Sequence, residues 1–435
     1  MVLSAVLEKC VKEVKINSEE RRFIENTSRI IINEIEKKLH KNKIDASVFV
    51  GGSVAKGTMI KKGNQDIDIF VRFNQKYSED EIKKQFKKIF FWFKIKGLKT
   101  KVKKVHGSRD YYKINFKRNE KINIEIVPSV NVKKPEEARN TTDLSYFHIK
   151  YINKKLRENK KLIDEIILAK SFCHSQKVYG AESYINGFSG YALELLICYY
   201  GSFEKMLYEM SETKGQIIVD IEKMYKDKYE LLEKLNPSKK KCPVILIDPT
   251  FKERNVAMAL SHETFEKFRT AAKEFLANPN EGFFIEKKIE KTYIKEKAEK
   301  FNANFNVIYL RTNKQEGDIA GTKLKKFAKV LFEYINKNID IIEWHFEYSG
   351  GRDAEIYVIS KKRQELVSIG PHKDNKKAVE HFKKAHPIWY VGDDGRIRAN
   401  KNPNQNIKLL IKQFKRSNRK QIKNMSIIKL KTYII

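Results

Sequence analysis

Two aspartates one residue apart, Asp66 and Asp68, stand in the alternating run Asp66-Ile67-Asp68-Ile69-Phe70-Val71. In a β-strand, alternate residues share a face, so this spacing sets both carboxylates side by side. Paired carboxylates on a rigid strand suit a hard divalent cation, and Mg²⁺ prefers carboxylate oxygens together with substrate phosphates. Upstream, Gly51-Gly52-Ser53 forms a turn. Glycine lets the backbone approach a phosphate, and N–H groups plus a Ser hydroxyl bind its oxygens. Lys56 adds a positive charge nearby, and a third acid, Glu125, sits in a second alternating run, Ile122-Asn123-Ile124-Glu125-Ile126-Val127. Three acids around two metals ~3.5–4 Å apart suit in-line displacement at phosphorus, one cation activating a hydroxyl and the other neutralising pyrophosphate. Alone, an Asp-x-Asp pair reads as a solvated strand face. The turn and the third acid are what make it a candidate site.

These residues need elements to hold them. Asn17-Ser18-Glu19-Glu20 reads as a helix start with a Glu at the third helical position, and Ile31, Ile35 and Leu39 follow at helical spacing until residues 40–43. Ser47 to Val50 is β-rich and runs into the glycine turn. A helix is expected over about 79–93, and the strand at 122–127 is expected to stop at Pro128. This order predicts a small α/β domain, 1–147. Residues 148–275 read as helical, with one helix over 160–176 and one over 191–210, the second fed by the turn Gly187-Phe188-Ser189-Gly190-Tyr191. Gly201 and Asn236-Pro237-Ser238 punctuate that region. Over 276–395, strands at 305–310, 341–348 and 354–359 and helices at 323–337 and 375–384 fit a ferredoxin-like sandwich. Residues 396–435 read as a basic tail. The fold class expected is α+β multidomain.

The balance of charge points to a partner. Among 435 residues, Lys plus Arg number 89 and Asp plus Glu 55, a formal charge of +34. Such an excess costs self-repulsion and is commonly offset by a polyanion, nucleic acid first and an anionic membrane surface second. A Lys- and Ile-rich compositional bias is the plainer reading. With 41% hydrophobic residues the chain has material for real cores, which excludes wholesale disorder. No run approaches a membrane-spanning helix, and the N-terminal residues do not read as a secretory signal. Cys10, Cys173, Cys198 and Cys242 are scattered without ligand or disulfide spacing, which fits a reducing cytoplasm. Cys173 and Cys198 read as core, and His381 and His386 as non-ligands.

Taken together, the glycine-serine turn, Asp-x-Asp and the later strand acid resemble nucleotidyltransferases of the DNA polymerase beta superfamily. The nearer resemblance is to archaeal-type (class I) CCA-adding enzymes, the tRNA nucleotidyltransferases. It is carried by FVGGSVAKGT at 49–58, DIDIF at 66–70, EIVP at 125–128, Phe147-His148, Lys170, YGAE at 179–182, GFSGY at 187–191, Asp248-Pro249, RNVA at 254–257 and Gly370-Pro371. The resemblance implies a catalytic head (1–147), a helical neck lining the nucleotide pocket (148–275), a tRNA-binding body (276–395) and a tail (396–435). It implies addition of C, C and A to the tRNA 3′ end from CTP and ATP, without a nucleic-acid template. Asp66, Asp68 and Glu125 would hold Mg²⁺. Gly52, Ser53 and Lys56 would meet the triphosphate, and His148, Lys170, Tyr179 and Arg254 would line the nucleotide pocket.

Three departures mark this chain. Glu125 stands where relatives usually have Asp, Lys56 where Arg is common, and the tail is short and divergent. Each pocket residue also has a structural reading: His148 as a cap, Lys170 as solvated, Tyr179 as packing, Arg254 as a partner for Asp248. The expected partners are the tRNA acceptor stem and TΨC arm, met by the helix at 323–337 and the C-terminal basic stretch, together with a homodimer by family likeness. The alternatives are a poly(A) polymerase or other terminal RNA nucleotidyltransferase, or a non-catalytic tRNA-binding protein.

Overall fold

Helix α1 (Val2–Val14) precedes Asn17, whose side chain accepts the Glu20 N–H and caps α2 (Ser18–Lys41). The computed structural model describes residues 2–63, 65–95, 99–116, 122–286, 289–361, 366–401 and 406–434. These form two units, 1–286 and 287–435.

In the first unit, β1 (Ala46–Val50), α3 (Gly52–Lys56), β2 (Gln65–Asn74), α4 (Glu79–Phe90), β3 (Thr100–Val105), β4 (Tyr111–Phe116) and β5 (Ile122–Asn131) follow α2. The strands make one sheet in the order β1-β2-β5-β4-β3, with β2 and β5 parallel and the other pairs antiparallel. Ile67, Ile69 and Val71 of β2 and Ile122, Ile124 and Ile126 of β5 share a core with Ile31 and Ile35 of α2 and Ile82 and Phe86 of α4. Both helices therefore cover one face, and Asp66 and Asp68, at the alternate positions, project from the other. Two expectations change here. The Lys-rich β3 and its partner β4 add to the strands expected; lysines on an edge strand blunt its pairing and hide the alternation. And β5 runs on through Pro128. Its pairing with β4 ends at Ile126, so on that side Pro128 has no ladder bond to forfeit.

The rest of this unit is mainly helical: α5 (Ser145–Glu158), α6 (Leu162–Ser175), α7 (Gly190–Tyr200), α8 (Phe203–Glu212), α9 (Lys228–Lys234) and α10 (His262–Ala277). A small sheet of β6 (Ile217–Val219), β7 (Val244–Asp248) and β8 (Phe251–Asn255) is set among them. The single helix expected over 191–210 is two. Gly201 takes φ +84, a left-handed C-terminal stop, and Ser202 then caps α8 by accepting the Lys205 N–H.

The second unit opens with α11 (Lys291–Lys300), β9 (Asn304–Thr312), α12 (Asp318–Asn336), β10 (Asp340–Tyr348) and β11 (Asp353–Lys361). Next come β12 (Leu366–His372), α13 (Lys376–Ala385), β13 (Tyr390–Val391), β14 (Arg396–Lys401), α14 (Ile407–Ser417), α15 (Arg419–Asn424) and β15 (Ile427–Ile434). The main sheet runs β10-β11-β9-β15, antiparallel throughout, which is the ferredoxin-like order. Strands β12, β14 and β13 form a separate small sheet. The stretch expected as a tail differs from that reading: it supplies β14, α14 and the edge strand β15 that pairs with β9. Ile407, Leu410, Ile411 and Phe414 make a buried helical stripe against Leu324 and Phe327, which the surrounding lysines masked. Residues 402–405 of that stretch lie outside the described residues. Among the described residues, no helix is long and apolar enough to cross a membrane.

Candidate active site

The parallel register sets Asp68 directly beside Glu125 and Asp66 beside Asn123. The Asn123 amide donates to Asp66 Oδ1 at 3.3 Å. Over Asp68 lies the glycine turn: the Gly51 N–H donates to the Asp68 carbonyl at 2.7 Å. Gly52, at φ +56, lies so close that a Cβ there would sit 2.0 Å from Asp68 Oδ2. Glycine suits both the left-handed backbone and the close approach to the carboxylate. Ser53 follows as the second residue of α3.

The acids repel one another. Burial, then the charges of Glu125 and Asp66, push the Asp68 carboxyl up to about 6. Lysines relieve part of this. Lys62 pairs with Asp66 at 2.5 Å, and Lys113 on β4 pairs with Glu125 at 2.7 Å. The three carboxylates thus share a face without closing into a cage; among the described residues, no three or more His, Cys, Asp or Glu side chains are gathered as ready ligands. The donor set still fits a hard cation. It consists of carboxylate oxygens on adjacent strands, with one carboxyl held above its usual range by burial and like charge, a cost that bound positive charge removes.

Behind the turn is a network that the sequence alone does not reveal. Glu194 of α7 is fully buried and takes two lysines: Lys56 on Oε2 at 2.5 Å and Lys170 on Oε1 at 2.7 Å. Lys170 also donates to Thr58 Oγ1 at 2.8 Å, and Thr58 donates to Glu194 Oε1 at 2.9 Å. The structure therefore corrects both readings of Lys170, which is neither solvated nor lining an open pocket. Lys56, too, is committed to a carboxylate, because a buried Glu needs counter-charge. Burial drives the Lys170 ammonium down to about 8. Burial pushes Glu194 the other way, but the two lysines outweigh it and hold it at about 2. The field of Lys56 still reaches Asp68 and opposes the rise of its carboxyl. No spacing rule links residues 56, 170 and 194, so the only available signal was a lone Glu inside the apolar stretch of α7.

A second hub is Asp248, fully buried at the end of β7. His148 Nε2 lies 3.0 Å from its Oδ2, Arg254 donates to Oδ2 at 2.8 Å, and the Tyr191 hydroxyl donates to Oδ1 at 3.1 Å. Burial raises the Asp248 carboxyl, yet the His148 hydrogen bond and the charges of His148 and Arg254 hold it well below the usual range. Burial lowers His148. The imidazole stacks on Tyr191 at 4.1 Å between centroids. The structural reading of Arg254 as the Asp248 partner is thus met, and His148 is drawn into the same group. Tyr179 packs against the turn that opens α7, where a Cβ on Gly190 would meet its hydroxyl at 2.8 Å. That hydroxyl is raised by burial and then by the charges of Glu194, Glu182, Asp68 and Asp66, so it lies within electrostatic reach of the acids.

This geometry agrees with comparisons to known proteins. Residues 31–130 match the nucleotidyltransferase domain model, and 164–285 match that of the second domain of tRNA nucleotidyltransferase. The chain is 32% identical to the CCA-adding enzyme of Nanoarchaeum equitans over 351 residues, covering 80% of this chain and 82% of that protein. It is 31% identical to the CCA-adding enzyme of Saccharolobus islandicus over 399 residues, covering 90% and 87%. Among solved structures it is similar in fold to the Cid1 poly(U) polymerase, with TM-score 0.51 and 15% identity over 65% of this chain and 98% of that one. From a carboxylate pair under a glycine turn to identity along most of its length, the chain belongs to the family of CCA-adding enzymes, the tRNA nucleotidyltransferases.

Proposed function

We propose that this enzyme adds C, C and A to the 3′ end of tRNA from CTP and ATP, in the cytoplasm and without a nucleic-acid template. The observation that carries the reading is the placing of Asp68 beside Glu125, with Gly52 pressed against the Asp68 carboxylate. Residues 1–147 act as catalytic head and 148–275 as the neck. Residues 276–395 form the tRNA-binding body, together with the C-terminal stretch that completes its sheet. Asp66, Asp68 and Glu125 hold Mg²⁺, which when bound supplies charge neutralisation at phosphate and a lowered pKa at the tRNA 3′ hydroxyl. Gly52 and Ser53 hold the triphosphate by backbone N–H and hydroxyl. Lys56 and Lys170 set a positive potential beneath that turn, held in place by Glu194. On this reading His148, Tyr179 and Arg254 orient the nucleoside, Arg254 offering the planar donors that suit a base edge.

The helix α12 and the C-terminal lysines meet the acceptor stem and TΨC arm. Duplex RNA is read mainly by shape and 2′-hydroxyl contacts, so one surface serves every tRNA. A homodimer is part of the proposal. The test is nucleotide incorporation into tRNA ending before CCA, with CTP alone, ATP alone and both, with Mg²⁺ and with a chelator. Three additions that require both nucleotides are expected. Long tracts from ATP alone would instead make the enzyme a poly(A) polymerase, and no turnover would leave a tRNA-binding protein.

A further inference from the structure

The turn after α4 holds four aromatics in a row, Phe90, Phe91, Trp92 and Phe93. Phe90 and Phe93 are buried in the head core, and Phe90 stacks on Tyr112 at 4.2 Å. The Phe93 N–H donates to the Phe90 carbonyl at 3.3 Å, closing a tight turn. Phe91 has φ −66 and ψ 118, and Trp92 has φ +53. That is the pattern of a type II turn, whose third position calls for glycine. Trp92 is the one aromatic among the described non-glycine residues at positive φ. A bulky residue there is strained, and its ring recovers little in the fold: Phe91 is 66% exposed and Trp92 73%. Two buried rings thus anchor a turn that displays two others.

The surroundings are basic. The last two turns of α4 carry Lys83, Lys84, Lys87 and Lys88 and no acid. The end of α2 abuts the turn, with Lys38 Nζ 3.4 Å from the Phe91 carbonyl, and Lys41 follows. Helix-dipole complementarity accounts for lysines at helix ends but not for exposed rings. A second copy of this chain would bring like charge against like charge. Flat aromatics amid lysines match an unpaired stretch of RNA, whose bases stack and whose phosphates are neutralised. This patch lies on the helix side of the sheet, opposite the carboxylates, because Ile67 and Ile69 pack with α4 while Asp66 and Asp68 alternate away.

We propose that the Phe91–Trp92 turn is a second RNA contact, in which Trp92 stacks on an unpaired base outside the reaction centre. Glycine at 92 separates a binding role from a structural one, since it suits the turn better than tryptophan does. In the full chain, Trp92→Gly is expected to raise the thermal midpoint by about 2–4 °C. It is also expected to weaken binding of oligo(U) of about twelve nucleotides by about 5- to 150-fold, with Phe91→Ala weakening it in the same direction. Wild-type oligo(U) affinity in both variants would overturn the proposal. So would a lower midpoint for Trp92→Gly, which would make the ring a packing element, or a changed sedimentation mass, which would make the turn a self-association surface. Incorporation into truncated tRNA is read in parallel. Its absence in the wild-type protein would sink the proposed activity and leave the binding comparison standing.

Discussion

Replacing Glu194 by Gln keeps the size of the side chain and removes the carboxylate that Lys56 and Lys170 share. The side chains of both lysines are 7% exposed or less, so water cannot replace the lost partner. Stranding one buried charge in this way costs about 3–5 kcal/mol. Here two ammonium groups share the loss, so the upper part of that range is expected. Urea unfolding of the variant against the wild type measures it. The deficit depends on pH. In the wild-type protein the Glu194 carboxyl lies at about 2, below its unfolded value, so its contribution is complete above about 4.5 and disappears as pH falls towards 2. In Glu194→Gln, Lys170 already lies low at about 8 in the parent and falls further, so the deficit narrows as pH rises and the ammonium deprotonates. Adding Lys170→Met to the variant should recover stability, because an apolar replacement leaves one fewer orphan charge. A loss under about 1 kcal/mol, or a double variant no more stable than the single, would refute the reasoning.

The carboxylate face carries two further expectations, and the basic surface a third. Gly52→Ala forces a Cβ to within 2.0 Å of Asp68 Oδ2 at φ +56, and the displaced turn should cost incorporation about 10²-fold or more, read on gels of extended tRNA. Asp68→Asn should lower incorporation by about 10²–10⁴-fold while truncated tRNA still binds, and the upward shift of thermal midpoint with added Mg²⁺ should shrink. The affinity for tRNA should fall about 10³–10⁵-fold between about 50 and 200 mM salt, as for neutralisation of about 6–10 phosphates; a flat response would count against a phosphate-tracking surface.

Much of the head was legible because its signals are local. Alternation along 66–71 and 122–127 marked two strands, the N-cap at Asn17 marked a helix, and the glycine turn stood out by residue type. Where locality failed, legibility failed with it. The Lys-rich β3 lacked a clean period, although its partner β4 alternates strictly from Tyr112 to Phe116. Gly201 stood out as punctuation, but its left-handed break of one helix into two needed the backbone. The C-terminal stripe Ile407, Leu410, Ile411 and Phe414 lay hidden under lysines until its partner helix was in place.

The chemistry itself divides along the same line. That two aspartates share a strand face follows from a period of two, and no tertiary information is needed for it. That Glu125 is their neighbour follows only from the parallel pairing of β2 with β5, which brings together residues separated by a helix and two further strands. The burial of Lys170 against Glu194, and the gathering of His148, Tyr191 and Arg254 on Asp248, likewise required the packed helices. A charge reports its presence in a sequence, but its partner is chosen by which distant surfaces exclude water together.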